Sequence, residues 1–284
     1  MIWLTWRQFR PQAYVTAGAL AVLGVFLLVT GIRMADGYNA AGLSACGTSA
    51  HCVLSAGRWI ISDRVGLNQA IFAFCIVLTY ATPGLIGMFW GAPLLTRELE
   101  TGAFRLAWTQ SVPRDRWMTV KLGFVGACAM ATTGLLVLMV NWWAQPIYKS
   151  AAISADGNTS SLNRFTPNVF GFHGIVPIGY AAFAFMLGVT AGVLIKRSLP
   201  AMAVVPVVFT FVQLAWPYWV RAHLMTPVRS TTILRGRGIS GWATIFGRQI
   251  VVVGRVHKPG AWILSNETVT PAGHLYTGPA PRVC

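Results

Sequence analysis

The residues best able to bind a metal or attack a substrate are five histidines, His51, His173, His223, His257 and His274, and the cysteines. The histidines are scattered without ligand spacing. Neither H-E-x-x-H nor G-x-S-x-G occurs, so the paired zinc ligands of a helix and the strained nucleophile turn have no counterpart. Ser44, within Gly42, Leu43, Ser44 and Ala45, falls in a loop, and no histidine lies inside an apolar stretch to activate it. There is no G-x-x-x-x-G-K-[ST], hence no backbone cradle and lysine for nucleotide phosphates. The expectation is a chain with no catalytic, metal-binding or cofactor-binding residues of its own. Cys46 and Cys52 stand six residues apart, and both a disulfide and a reduced pair are compatible with that spacing. Cys75 and Cys128 lie in apolar stretches, where small apolar packing is the default role.

The elements that would position such residues are membrane spans. Of 284 residues, 55% are apolar and 10% charged, against roughly 25% charged in an ordinary soluble domain. That composition excludes a disordered chain and a disulfide scaffold. A bilayer core about 30 Å thick takes around 20 apolar residues as a helix. Five such charge-free stretches occur, near Ala13 to Ile32, Leu67 to Leu95, Leu122 to Ala144, Ile175 to Ile195 and Ala201 to Val220. The second is over-long and is expected to bend near Pro83 or Pro93. The fold class expected is thus an all-α integral membrane protein of about five transmembrane helices.

The net charge of +15 is read as loop charge that fixes topology, not as a nucleic-acid footprint. With the N-terminus inside, segments 1–12, 96–121 and 196–200 hold nine basic residues in 43 positions, while segments 33–66 and 145–172 hold five in 62. The bias favours a cytoplasmic N-terminus. The external loop Ala35 to Gly66 then carries Cys46 and Cys52 on the oxidising side. Residues 1–12, which as a helix group Ile2, Trp6 and Phe9 near one face with Arg7 and Arg10 available to headgroups, suit an interfacial helix or an aromatic and basic anchor. Residues 13–220 form the transmembrane part. Residues 221–284, external on this topology, contain short apolar runs such as Ile250 to Val253 and Trp262 to Leu264, consistent with some β structure.

No Asp, Glu, Lys, Arg or His falls inside the five stretches, although ion-coupled carriers usually place one there. The driving force is therefore expected from another protein. Gly87 with Gly91 and Gly188 with Gly192 form G-x-x-x-G pairs for close helix approach, within the chain or between copies. Thr132, Thr133, Asn141 and Gln213 can hydrogen-bond across helices.

Gly91 to Lys121 is the most distinctive stretch. Thr96 is expected to cap a short helix whose Glu98 and Glu100 suit the positive dipole end, Gly102 offers an exit, and Pro113 starts a second helix through Trp117 and Lys121. Leu99, Phe104, Leu106, Trp108 and Trp117 are unusually apolar for a free cytoplasmic loop and point to docking against a partner or the lipid headgroups. On Trp3 to Arg10, on this block and on the order of spans, the sequence resembles a permease subunit of a type-two ABC exporter, in the form found in actinobacteria.

The resemblance implies a permease that pairs with a second copy, as homo- or heterodimer, and with a cytoplasmic ABC ATP-binding subunit that carries the ATP and magnesium. It implies that loop 96–121 holds a coupling helix, with Arg97, Glu98, Leu99, Glu100, Phe104, Arg105, Leu106 and Trp108 docking the ATPase. The chain would be a multi-pass plasma-membrane protein in contact with lipid and without nucleic acid. The family usually has six spans where five are read here, which leaves a non-transporting accessory or sensor subunit as the alternative.

Overall fold

The computed structural model describes residues 2–46, 50–61, 63–102, 113–153, 170–220, 223–224, 226–231, 233, 239–245, 249–254, 267–270 and 272–274. Among them, five helices are long and apolar enough to cross a membrane: Thr5–Ala40, Leu67–Glu100, Asp115–Trp143, Val176–Ile195 and Ser198–Ala215. The protein is a multi-pass, all-α membrane protein. Each of the first three spans runs past its apolar stretch, because a helix once formed continues beyond the hydrocarbon wherever no breaker stops it.

Helix α1 (Ile2–Ala40) runs unbroken through Pro11, so the N-terminal helix expected at the interface is continuous with the first span. A 3-10 turn (Leu43–Ala45) and α2 (Ala50–Ile61) follow. Next come α3 (Asp63–Ile86), a π-helical turn (Gly87–Gly91) and α4 (Ala92–Thr101). Then come α5 (Arg114–Trp143), α6 (Gln145–Ile153), α7 (Val176–Ile195) and α8 (Ser198–Ala215). α2 and α6 lie where the sequence suggested only loops. Both are too short and too mixed in polarity to register as spans, and they are held by packing on each other.

The tail contributes an antiparallel pair, β1 (Ile239–Ile245) with β2 (Gln249–Gly254), which includes the apolar run Ile250 to Val253. Trp262 to Leu264 lie outside the described residues.

The α-helical pattern of the second span is interrupted between its two prolines, at the π-helical turn. Pro93 has no N–H to give the carbonyl four residues back, Phe89 O, and Gln12 Nε2 of α1 donates to that oxygen at 3.1 Å. Thr96, expected as an N-cap, sits inside the helix because α4 begins at Ala92, and its hydroxyl donates to Ala92 O at 2.7 Å. Gly102, at φ 68°, does end α4 in the left-handed conformation that glycine adopts at least cost. Pro113 precedes the first residue of α5.

α7 is the central helix, touching α3, the π-helical turn, α4, α5 and α8. The two G-x-x-x-G pairs meet within the chain. A side chain at Gly188 would run into Gly87 O and Ala92 N, and one at Gly91 into Phe185 O. At Gly192 it would lie 2.7 Å from Ala92 O and 3.0 Å from Thr96 Cγ2. Backbone thus packs on backbone, which only glycine permits. Of the polar span residues, Gln213 Nε2 reaches across to Tyr80 O at 3.3 Å, whereas Thr133 donates to Ala129 O of its own helix at 3.1 Å.

At the end opposite the α4–α5 connection, Leu27, Phe72, Trp143 and Phe172 form a buried cluster, and Trp143 Nε1 donates to Thr30 Oγ1 at 3.0 Å. There Cys46 and Cys52 are joined by a disulfide with Cα atoms 5.6 Å apart, and Tyr38 Oη donates to Leu43 O at 3.2 Å. Cys46→Ser with Cys52→Ser is expected to cost about 2 kcal/mol, the chain-entropy value for so short a loop. The spans should stay folded. Far-UV circular dichroism in detergent checks this, since loss of the helical signal would make the bridge a requirement for the whole fold.

Candidate functional site

The candidate site is the end of the bundle where α4 stops and α5 starts, because helix termini from the whole chain converge there. The first turns of α1 bring Phe9 edge-on to Trp90 at 4.7 Å and Trp6 edge-on to Phe124 at 6.3 Å. These apolar contacts fix α1 against the π-helical turn and α5.

α4 has two carboxylates near its end, and each binds a different neighbour. Glu98 forms an ion pair with Lys121 of α5, which is 4% exposed and also lies 5.2 Å from the Trp117 ring centre. Glu98 Oε2 is buried and has no hydrogen-bond partner among the described residues. Glu100 accepts from Ser198 N at 2.7 Å and from Ser198 Oγ at 3.1 Å, so it sits over the first turn of α8, where backbone N–H groups favour an anion. The short link from α7 to α8 passes through Lys196 at φ 55°, whose N–H bonds Gly192 O at 3.0 Å.

The stem of the α4–α5 connection is therefore clamped twice, across to α5 and across to α8. A chamber of about 220 Å3 lies beside it, lined by Thr5, Gln8, Phe9, Gln12, Trp90, Arg97, Glu98 and Lys121 among others. An ion pair taken out of water is held tightly only when both partners stay in place. Displacing the connection would thus move α4 and α5 together and strain the start of α8.

Of the residues expected to dock a partner, Arg97 is exposed and Leu99 half-buried on α4. Glu98 turns inward to Lys121, and the exposed Glu100 binds Ser198. Phe104, Arg105, Leu106 and Trp108 lie outside the described residues. Sequence reasoning missed Lys121, Ser198 and Gln12 as partners. One signal was available, since carboxylates are scarce: seven against 22 basic residues, with two of the seven on α4.

Residues 17–221 match the family described as ABC-2 membrane transporter related, which is 205 of the 284 positions. The chain belongs to that family. This ABC-2 related protein is accordingly a transporter permease, of a kind that works with a separate ABC ATP-binding subunit. The matched residues take in four of the five spans found among the described residues whole, the first span from residue 17 on, and the clamped stem, and they stop before the β hairpin. No curated protein and no solved structure matches the chain. Among the described residues, no group of three or more His, Cys, Asp or Glu side chains is placed to hold a metal ion.

Proposed function

We propose that this chain is the membrane-spanning subunit of an ATP-driven exporter of the plasma membrane, with its N-terminus and the α4–α5 connection on the cytoplasmic side. A separate subunit binds ATP and magnesium and docks on the connection through Arg97, Leu99, Phe104, Arg105, Leu106 and Trp108. Two permease copies complete the transporter. ATP binding draws the ATPases together and pushes each connection, and the push enters the bundle through Glu98–Lys121 and Glu100–Ser198. The energy is useful because it differs between inward-open and outward-open states. Residues 221–284 form the external segment, and the basic bias of the shorter loops supports this orientation.

The observation that carries this reading is the doubly clamped stem of a connection whose sequence is apolar and basic. Co-expression with candidate ATP-binding subunits and a pull-down in detergent tests it. Wild type is expected to retain its ATPase. Arg97→Glu with Arg105→Glu should weaken retention roughly thirty-fold, at about 1 kcal/mol for each reversed charge. Arg116→Glu, on the exposed first turn of α5, extends the series. If the double variant binds its ATPase and supports hydrolysis like wild type, the connection is not the coupling element.

A further inference from the structure

Two cavities of different character meet at Gln12 and Trp90, residues common to both linings. One is the polar chamber already described, with Gln8, Arg97, Glu98 and Lys121 in its wall. The other is an apolar groove of about 1040 Å3 between α1 and α3, floored by α5 and walled by Val15, Leu23, Phe26, Phe74, Leu78 and Leu85. The groove is open because α1 packs against α5 and stands off α3, so that only 11% of the residues in an apolar 18-residue window of α1 are buried.

We propose that the groove and chamber together bind one membrane lipid with an anionic head, its acyl chain in the groove and its head in the chamber. The groove's polar side chains point to an apolar chain as occupant. Of the three threonines in the lining, Thr16 and Thr82 donate to Gln12 O at 2.9 Å and to Leu78 O at 2.7 Å, so two of the three hydroxyl protons are spent on carbonyls four residues back. A polar solute would find few donors there, and a hydrocarbon loses nothing.

The groove is also long enough for an acyl chain that spans one leaflet. From Gln12 to Phe26 is about 21 Å of helix at 1.5 Å per residue. One leaflet of hydrocarbon is roughly 15 Å thick, half the bilayer core. At the head end Lys121 is already paired with Glu98, so the net positive charge of the lining is that of Arg97, and this favours an anion. The assignment concerns binding by this chain alone and does not depend on the ATP-coupling reading.

The test uses the full-length protein, without any ATPase, in vesicles of mixed phosphatidylglycerol and phosphatidylcholine. A trace of either lipid carries a diazirine in its acyl chain, and adducts are mapped by mass spectrometry after irradiation. Adducts are expected to concentrate on residues 12–26 and 74–90. The anionic probe should outyield the zwitterionic one about five-fold, the ratio that one basic residue near a membrane surface confers.

Ala19→Trp, which fills the groove, should lower the yield several-fold, and Leu23→Trp serves if circular dichroism shows the first variant unfolded. Arg97→Gln should bring the two lipids to parity. Adducts spread evenly over the outward faces of α1, α3 and α8 would mean annular lipid only and overturn the proposal. So would a Phe26→Cys disulfide between two copies that forms in the same vesicles and abolishes the adducts, since a second chain would then fill the groove.

Discussion

Gly188→Leu is expected to abolish the folded bundle, and Gly188→Ala to lower its stability by more than the roughly 1–3 kcal/mol of ordinary core overpacking. The reason lies in what a side chain would meet. At Gly188 the nearest atoms are Gly87 O and Ala92 N, which are backbone and have no rotamer to change. Relief requires α7 to move away from the π-helical turn and α4, and α7 is the helix on which α3, α4, α5 and α8 all pack. Gly123 provides the control. It lies in α5 with nothing within 4 Å of an added Cβ, so Gly123→Ala should be neutral or stabilise by up to about 1 kcal/mol through helix propensity. Apparent melting temperature and monodispersity in detergent, compared across the three variants, check the expectation. Equal behaviour of Gly188→Ala and Gly123→Ala would mean that the two glycine pairs do not hold the helices together.

Much of this fold was legible because a bilayer demands long apolar runs, and Ala13 to Ile32 or Ile175 to Ile195 cannot be read as much else. Helix ends were less so. α1 reaches back to Ile2 and on to Ala40 because no residue outside the apolar stretch stops it, and hydropathy does not report that. Each glycine pair was visible in sequence, yet that Gly87 and Gly91 meet Gly188 and Gly192 depends on contacts between residues about a hundred positions apart. The same holds for the candidate site. Glu98 and Glu100 stood out as acids in a basic chain, and dipole reasoning placed them at the start of a helix. In the structure Glu98 and Glu100 lie in its second half, because α4 starts at Ala92, and they serve α5 and the start of α8 instead. Pairings across 23 and 98 residues leave no periodic signature.

Lys121→Ala is expected to destabilise the protein strongly, and a second substitution at Glu98 should restore much of the loss. Removing one partner of a buried ion pair costs roughly 3–5 kcal/mol, because the other charge stays out of water with nothing opposite it. The lower figure applies here, since the Glu98 side chain keeps 17% of its surface exposed. For a chain of this size that is a fall of roughly 6–12 °C in apparent melting temperature. Glu98→Leu with Lys121→Met removes both charges at similar volume, and such swaps are often neutral or stabilising. The double variant therefore separates stability from coupling. If the pair transmits the push from the docked subunit, the double variant melts near wild type and binds the ATPase, yet transported substrate per ATP hydrolysed falls. An apolar contact can hold α4 against α5, but it lacks the directional attraction that makes two helix ends move as one body when the stem is displaced. Full transport by the double variant would reduce the pair to a structural clamp and leave the contact of Glu100 with Ser198 of α8 as the remaining route for the movement.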